Sequence, residues 1–237
     1  MRATWAILRK ELRVYFVSPL AYVFLAAFLF LAGVFFYLGI TLTGEASLRV
    51  MLGNLSITLL FVLPMLTMRH FAEEQRSGTF ELLMTAPVHP WAMILGKWLA
   101  SLALCGVMLA GTLLFTAVLA YYGEPDWGVV LCSYLALLLC SGAFCAAGLF
   151  ASSLTRDQVA AGLVGILLLL PFWLIGQAAD LTDVAWLAEL LGQVAFLTHL
   201  RSFTRGVLDT ADLTYFAGFT FVFLFLTFRT LESRRWR

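Results

Sequence analysis

The stretch Glu73-Glu74-Gln75-Arg76-Ser77-Gly78-Thr79-Phe80-Glu81-Leu82-Leu83-Met84-Thr85-Ala86-Pro87 is the densest charged segment of the chain. It lies between residues 50–68 and 98–123, two runs without a single Asp, Glu, Lys or Arg. A spanning helix needs roughly 20 apolar residues at about 1.5 Å rise each, so both flanks read as membrane helices and the charged stretch as the loop between them. Charge-free runs recur at 14–44, 129–155, 158–179 and 213–228. The predicted architecture is an all-α membrane protein with six spans, at 20–42, 50–68, 94–122, 128–151, 158–179 and 213–229, forming one transmembrane domain over 1–237.

Composition agrees with this reading. Of 237 residues 62% are hydrophobic and 12% charged, against about 25% charged in soluble domains, and the mean hydropathy is +0.94. The first apolar run is too long and bulky for a cleaved signal segment, whose apolar core is about 7–15 residues, and is expected to stay as the first span. Cys105, Cys132, Cys140 and Cys145 all fall in apolar runs, without metal-ligand spacing, and read as small hydrophobes.

Basic residues set the orientation. With six spans both termini share a side. Twelve of the fifteen Lys and Arg lie there, leaving Arg49, Arg201 and Arg205 opposite. That side is therefore read as cytoplasmic, in a bacterial inner membrane. Residues 2–17 form an interfacial amphipathic helix, with Trp5, Leu8, Leu12, Tyr15 and Phe16 expected toward lipid and Arg9, Lys10 and Arg13 toward water and headgroups. Ser18-Pro19 ends it, because the residue before proline avoids helical dihedrals. Residues 180–212 are expected to form one or two amphipathic helices at the outer surface, with Gly192 and Gly206 as breakers.

Several activities are excluded. No ionisable residue is expected deep in a span, where each would cost about 2.5–3.5 kcal/mol, which argues against an ion pump or proton carrier. No Ser/His pair, aspartate pair or His-Glu-x-x-His helix suits an intramembrane protease, and no phosphate-binding Gly-Lys loop is present. His70, His89 and His199 read as interfacial or capping residues. The small-residue patterns Gly142-x-x-x-Ala146-x-Gly148 and Ala161-x-x-x-Gly165 suit close helix approach, within the chain or between protomers. Pro64 and Pro171 are expected to kink their spans.

Within the charged loop, Gly78 suits a left-handed helix end, and Thr79 can cap a short new helix with Glu81 in its first turn. Phe80, Leu83 and Met84 share one apolar face, and Pro87 and Pro90 stop the helix before Trp91. Acids at 73, 74 and 81 fit poorly on anionic lipid and better in the groove of a partner protein.

At these residues the chain resembles the ABC-2 type permeases, the membrane subunits of ATP-binding-cassette exporters. The resemblance is carried by Phe71-Ala72-Glu73-Glu74-Gln75-Arg76-Ser77-Gly78-Thr79-Phe80-Glu81-Leu82-Leu83-Met84-Thr85-Ala86-Pro87-Val88 and by Gly96-Lys97. The opening Lys10-Glu11-Leu12-Arg13-Val14-Tyr15-Phe16-Val17-Ser18-Pro19-Leu20-Ala21-Tyr22 is similar to the gliding-motility-type (auxiliary-transport) branch, as are 202–209 and 231–236. The resemblance implies a type V exporter-like half-transporter that forms a homodimer and docks two ABC ATPase subunits. Those subunits would bind ATP and Mg, so that the chain itself would be non-catalytic and hold neither cofactor nor metal. It makes residues 73–84 the coupling helix, with Glu73, Glu74, Gln75, Arg76, Ser77, Gly78, Thr79, Phe80, Glu81, Leu83 and Met84 as ATPase contacts. Arg9, Lys10, Glu11 and Arg13 fall on the connecting helix, and 180–212 corresponds to re-entrant outer helices. The branch further implies a membrane-anchored extracytoplasmic partner, for which Arg201, Arg205 and Asp209 are candidate contacts. The implied function is ATP-driven export; the alternatives are mechanical drive of that partner without solute transport, and a scaffold.

Overall fold

The computed structural model describes residues 2–43, 48–79, 89–123, 125–182 and 184–235. Among these residues every regular element is a helix. Helix α1 (Arg2–Val17) is followed by α2 (Pro19–Thr43), α3 (Arg49–Thr67), α4 (Arg69–Arg76), α5 (Pro90–Tyr122), α6 (Trp127–Leu154), α7 (Gln158–Asp180), α8 (Ala185–Val194), α9 (Phe196–Thr204) and α10 (Thr210–Arg235). Six helices are long and apolar enough to cross a membrane: α2, α3 continued into α4, α5, α6, α7 and α10.

Local chemistry explains the boundaries. Ser18 separates α1 from α2, whose first residue is Pro19. Pro90 opens α5, where its missing N–H is no loss, and His89 caps that helix by accepting the Trp91 N–H on Nδ1 at 3.3 Å. Asp126 caps α6 by accepting from the Gly128 and Val129 N–H groups. Gly206 ends α9 at φ +79°, and Gly78 has φ +74° just beyond α4, both in the left-handed region that glycine adopts without penalty. Gly192, expected as a breaker, lies inside α8; the break falls at extended Ala195 instead.

Helix α6 is the centre of the bundle. Two thirds of its most apolar stretch (67%) is buried, against 17% for α2 at the periphery. Its buried side is built from Ala136, Cys140, Ala143, Cys145, Ala146, Ala147, Gly148 and Ala151. Such small residues let helix backbones approach where lipid offers no hydrophobic drive to associate. A Cβ on Gly148 would collide with Thr67 Oγ1 and stand 3.3 Å from Pro64 Cα, and one on Gly165 would stand 2.9 Å from Pro64 Cβ. Pro64 of α3 thus sits between glycines of α6 and α7, so these small residues serve packing within the chain.

Helix α1 corrects an expectation. Leu8, Leu12 and Tyr15 do not face lipid; they pack on Ala21, Leu66, Ala100 and Leu104 of α2, α3 and α5. Only Trp5 and Phe16 of the expected lipid-facing set are exposed. The close crossing is possible because α5 offers Gly96, where a Cβ would stand 2.8 Å from Ile7 Cγ2.

At the far end, α8 and α9 fold back over the start of α10. Phe196 is fully buried there among Phe144, Phe172, Tyr215, Phe216 and Phe219.

Candidate functional site

At the residue after Gly96, the close α1–α5 crossing brings Lys97 against Glu11. Lys97 is 1% exposed. Its ammonium donates to Glu11 Oε1 at 2.9 Å, Glu74 Oε1 at 2.8 Å and the His70 carbonyl at 3.0 Å. An ammonium has three N–H donors, and all three are engaged by acceptors from α1 and α4. The Phe71 ring lies beneath, its centroid 5.3 Å from the nitrogen.

Glu11 extends the network. Its Oε2 lies 3.6 Å from His70 Nδ1, while His70 Nε2 lies 2.8 Å from the Tyr15 hydroxyl and 2.6 Å from Ser101 Oγ. Ser101 in turn donates to the Lys97 carbonyl at 3.2 Å, and Tyr15 reaches the Leu66 carbonyl at 3.3 Å. Burial by itself would raise the Glu11 carboxyl, but the contacts with His70 and the Lys97 charge override it and hold the group well below the usual carboxylate range. Burial pushes the Tyr15 hydroxyl far up, so it stays neutral and acts as a hydrogen-bonding group.

Helix α4 is fastened on its other side as well. Ser152 Oγ of α6 accepts from the Phe71 and Ala72 N–H groups at 3.0 and 3.1 Å and donates to the Met68 carbonyl at 2.8 Å. Gln75 Nε2 donates to the Ser153 carbonyl at 3.2 Å. One serine hydroxyl therefore satisfies backbone groups that a helix start leaves without intrahelical partners. A cavity of about 230 Å³ opens beside the junction, walled by Glu11, Tyr15, His70, Glu74 and Lys97, with Lys10 and Arg69 among the residues that close it.

Of the predicted contact residues, Glu74 points inward to Lys97, with 14% of its side chain exposed, and Gln75 turns to α6. Glu73, Arg76, Ser77, Gly78 and Thr79 are exposed; Glu73 lies 3.6 Å from Arg69. Phe80, Glu81, Leu83 and Met84 lie outside the described residues. On α1, Arg9, Lys10 and Arg13 face solvent while Glu11 is buried. At the far end Arg201 and Arg205 are exposed. Asp209 has a local role, accepting the Ala211 N–H at 2.9 Å as α10 begins.

His89 caps a helix as expected, but the other two histidines do not fit that expectation: His70 belongs to the junction and His199 pairs with Asp212. Lys97, counted in sequence among loop cations, is buried within a helix long enough to span. A signal for its partner was present. Leu8, Glu11, Leu12 and Tyr15 share one face at helical spacing, so Glu11 is a charge on an apolar stripe and requires a buried counter-ion.

These features define a helical, multi-pass membrane protein whose charged core ties a surface helix to the loop between two spans, the form of a transport permease. The chain belongs to the ABC-2 type transporter family, which it matches over residues 2–208. It is thus the membrane permease component of an ATP-binding-cassette transporter, in a family whose permeases associate with an ABC ATPase. No curated protein matched the sequence.

Proposed function

We propose that this chain is the permease half of an ATP-driven export machine in a bacterial cytoplasmic membrane. Two copies pair and two ATPase subunits, which hold ATP and Mg, seat residues 73–84 in their grooves. The α1 end and both termini face the cytoplasm, in keeping with the clustering of basic residues there. The observation that carries the reading is the double fastening of α4. Lys97 ties it to α1 and α5, and Ser152 ties it to α6. A displacement delivered just beyond α4 therefore moves a surface helix and two spans together instead of being absorbed in a slack loop. No residue of the chain need touch nucleotide; its part is to receive motion and pass it to the spans.

The test is reconstitution with the cognate ATPase. Phe80→Asp is expected to abolish co-purification of the ATPase and its permease-stimulated ATP turnover, while permease yield and melting temperature stay at wild-type values. Wild-type co-purification and turnover in this variant would overturn the coupling assignment. Glu74 is unsuited to that test, because changing it disrupts the buried junction as well.

A further inference from the structure

His199 of α9 lies between two acceptors. Its Nδ1 is 2.5 Å from Asp212 Oδ1 at the start of α10, and its Nε2 is 3.0 Å from the Gln193 carbonyl at the end of α8. Its ring stacks on Tyr215, centroids 4.0 Å apart, and the Tyr215 hydroxyl donates to the Val194 carbonyl at 2.6 Å. Asp212 is 5% exposed, and its Oδ2 is buried with no hydrogen-bond partner.

Two short contacts need two hydrogens, yet a neutral imidazole beside an ionised carboxylate supplies one. Both contacts are satisfied by an imidazolium facing a carboxylate, or by a carboxylic acid donating to Nδ1 while Nε2–H donates to Gln193. The two forms differ only in where one proton sits, so that proton belongs to the pair and not to either residue. We propose that His199 and Asp212 form a proton-binding site that latches α8 and α9 onto α10. When the proton leaves to solvent, one hydrogen remains for two contacts, and either Gln193 or Asp212 loses its bond to the ring.

Among the described residues around the pair, Asp209 is engaged by the Ala211 N–H, and the other charges lie elsewhere. Helix α6, packed against α9, contains no Asp, Glu, Lys, Arg or His, and α7 carries only Asp180, its last residue. Helix α8 has Glu189, which is exposed. Helix α10 contributes Asp212 and Tyr215 here, its remaining charges lying at the other end; Arg201 of α9, which lines the cavity described next, and Arg205 just beyond α9 are exposed. Helix α9 also forms one wall of a cavity of about 190 Å³, through Leu197, Leu200, Arg201 and Thr204. Releasing the latch frees that wall. On the orientation proposed above, acid on the extracytoplasmic side holds it shut.

The test needs no ATPase, so its outcome is separate from that of the coupling experiment. Amide hydrogen exchange of the full chain in nanodiscs is followed for peptides covering 196–204, as a ratio to peptides of α6, which cancels the intrinsic pH dependence of exchange. Between about pH 5 and pH 8, where imidazole changes charge, the protection ratio is expected to fall at least about tenfold. His199→Gln and Asp212→Asn are each expected to remove that dependence. Tyr215→Phe, which loses a hydrogen bond but no proton site, is expected to lower protection while keeping the pH profile. A wild-type ratio that does not vary with pH, or a wild-type profile surviving in either His199→Gln or Asp212→Asn, would overturn the proposal.

Discussion

The two ends of this bundle are fastened by different chemistry. At the α1 end, Lys97, Glu11 and Glu74 form a dry cluster in which each ammonium hydrogen has its own acceptor. At the far end, α8 and α9 are held to α10 by an imidazole–carboxylate pair and a bed of aromatic rings. The former is an ion cluster with every ammonium hydrogen engaged, whereas the latter hangs on one proton placed between two groups. The first fastening suits constant transmission of force, and the second suits release.

The most damaging single change should be Lys97→Met, which preserves much of the side chain's bulk but takes the buried cation from Glu11 and Glu74, leaving them only the exposed Lys10 ammonium at 3.8 and 3.6 Å. Breaking a buried ion cluster in this way costs about 3–5 kcal/mol, to be read as a large fall in melting temperature and in yield of folded protein. Neutralising the whole set, Glu11→Gln with Glu74→Gln and Lys97→Met, should recover most of that loss. If the triple variant is no better than the single one, the junction works by shape rather than by charge.

Between the ends, Gly148→Ala should wedge α6 away from α3 and cost about 1–3 kcal/mol, measured by thermal unfolding. Adding Thr67→Ala removes the colliding hydroxyl and should restore part of it. Ser152→Ala comes next in size. It leaves the Phe71 and Ala72 N–H groups without their acceptor, at about 1–3 kcal/mol, and should raise hydrogen exchange in 69–76 selectively. Tyr15→Phe should cost about 1 kcal/mol.

The smallest expected effect concerns pH. The Glu11 carboxyl is lower in the folded chain than its unfolded value of 4.5. Its contribution is therefore fully present above about pH 4.5 and is lost only as pH falls below that toward the folded value. Its neighbour His70 is held below its ordinary value of 6.5, chiefly by burial, so the α1 end loses stability as pH falls below about 6.5, the opposite sign to the release of the far end as pH rises. Exchange protection of α1 that falls as pH rises from about 5 to 8 would break the contrast.

Much of the fold was legible because lipid imposes a simple rule: long charge-free runs become helices, and cations gather on one side. Boundaries set by local chemistry, such as Ser18-Pro19 and Gly78, could be read for the same reason. The junction was harder. Glu11 and Lys97 are far apart in sequence, and each taken alone resembles an ordinary interfacial charge; only the apolar face that Glu11 interrupts gave it away. His199 carried no such mark, because its partners belong to two other helices, α8 and α10, brought to it by packing around Phe196. The Ala195 break within the far-end helices likewise depends on that packing, which overrode the intrinsic preference of Gly192 to interrupt a helix.

The seat of Pro64 bears on how the chain is assembled. Its walls are Gly148 and Gly165, which are synthesised long after α3 has left the ribosome. A proline in a spanning helix frees a backbone carbonyl that must be accommodated by its surroundings, and here the surroundings arrive late. Until α6 and α7 are inserted, Pro64 has no glycine surface to seat against. The bundle can close only from its later helices back onto its earlier one, which makes the interval before α7 emerges the period when this chain depends most on whatever protects nascent membrane helices.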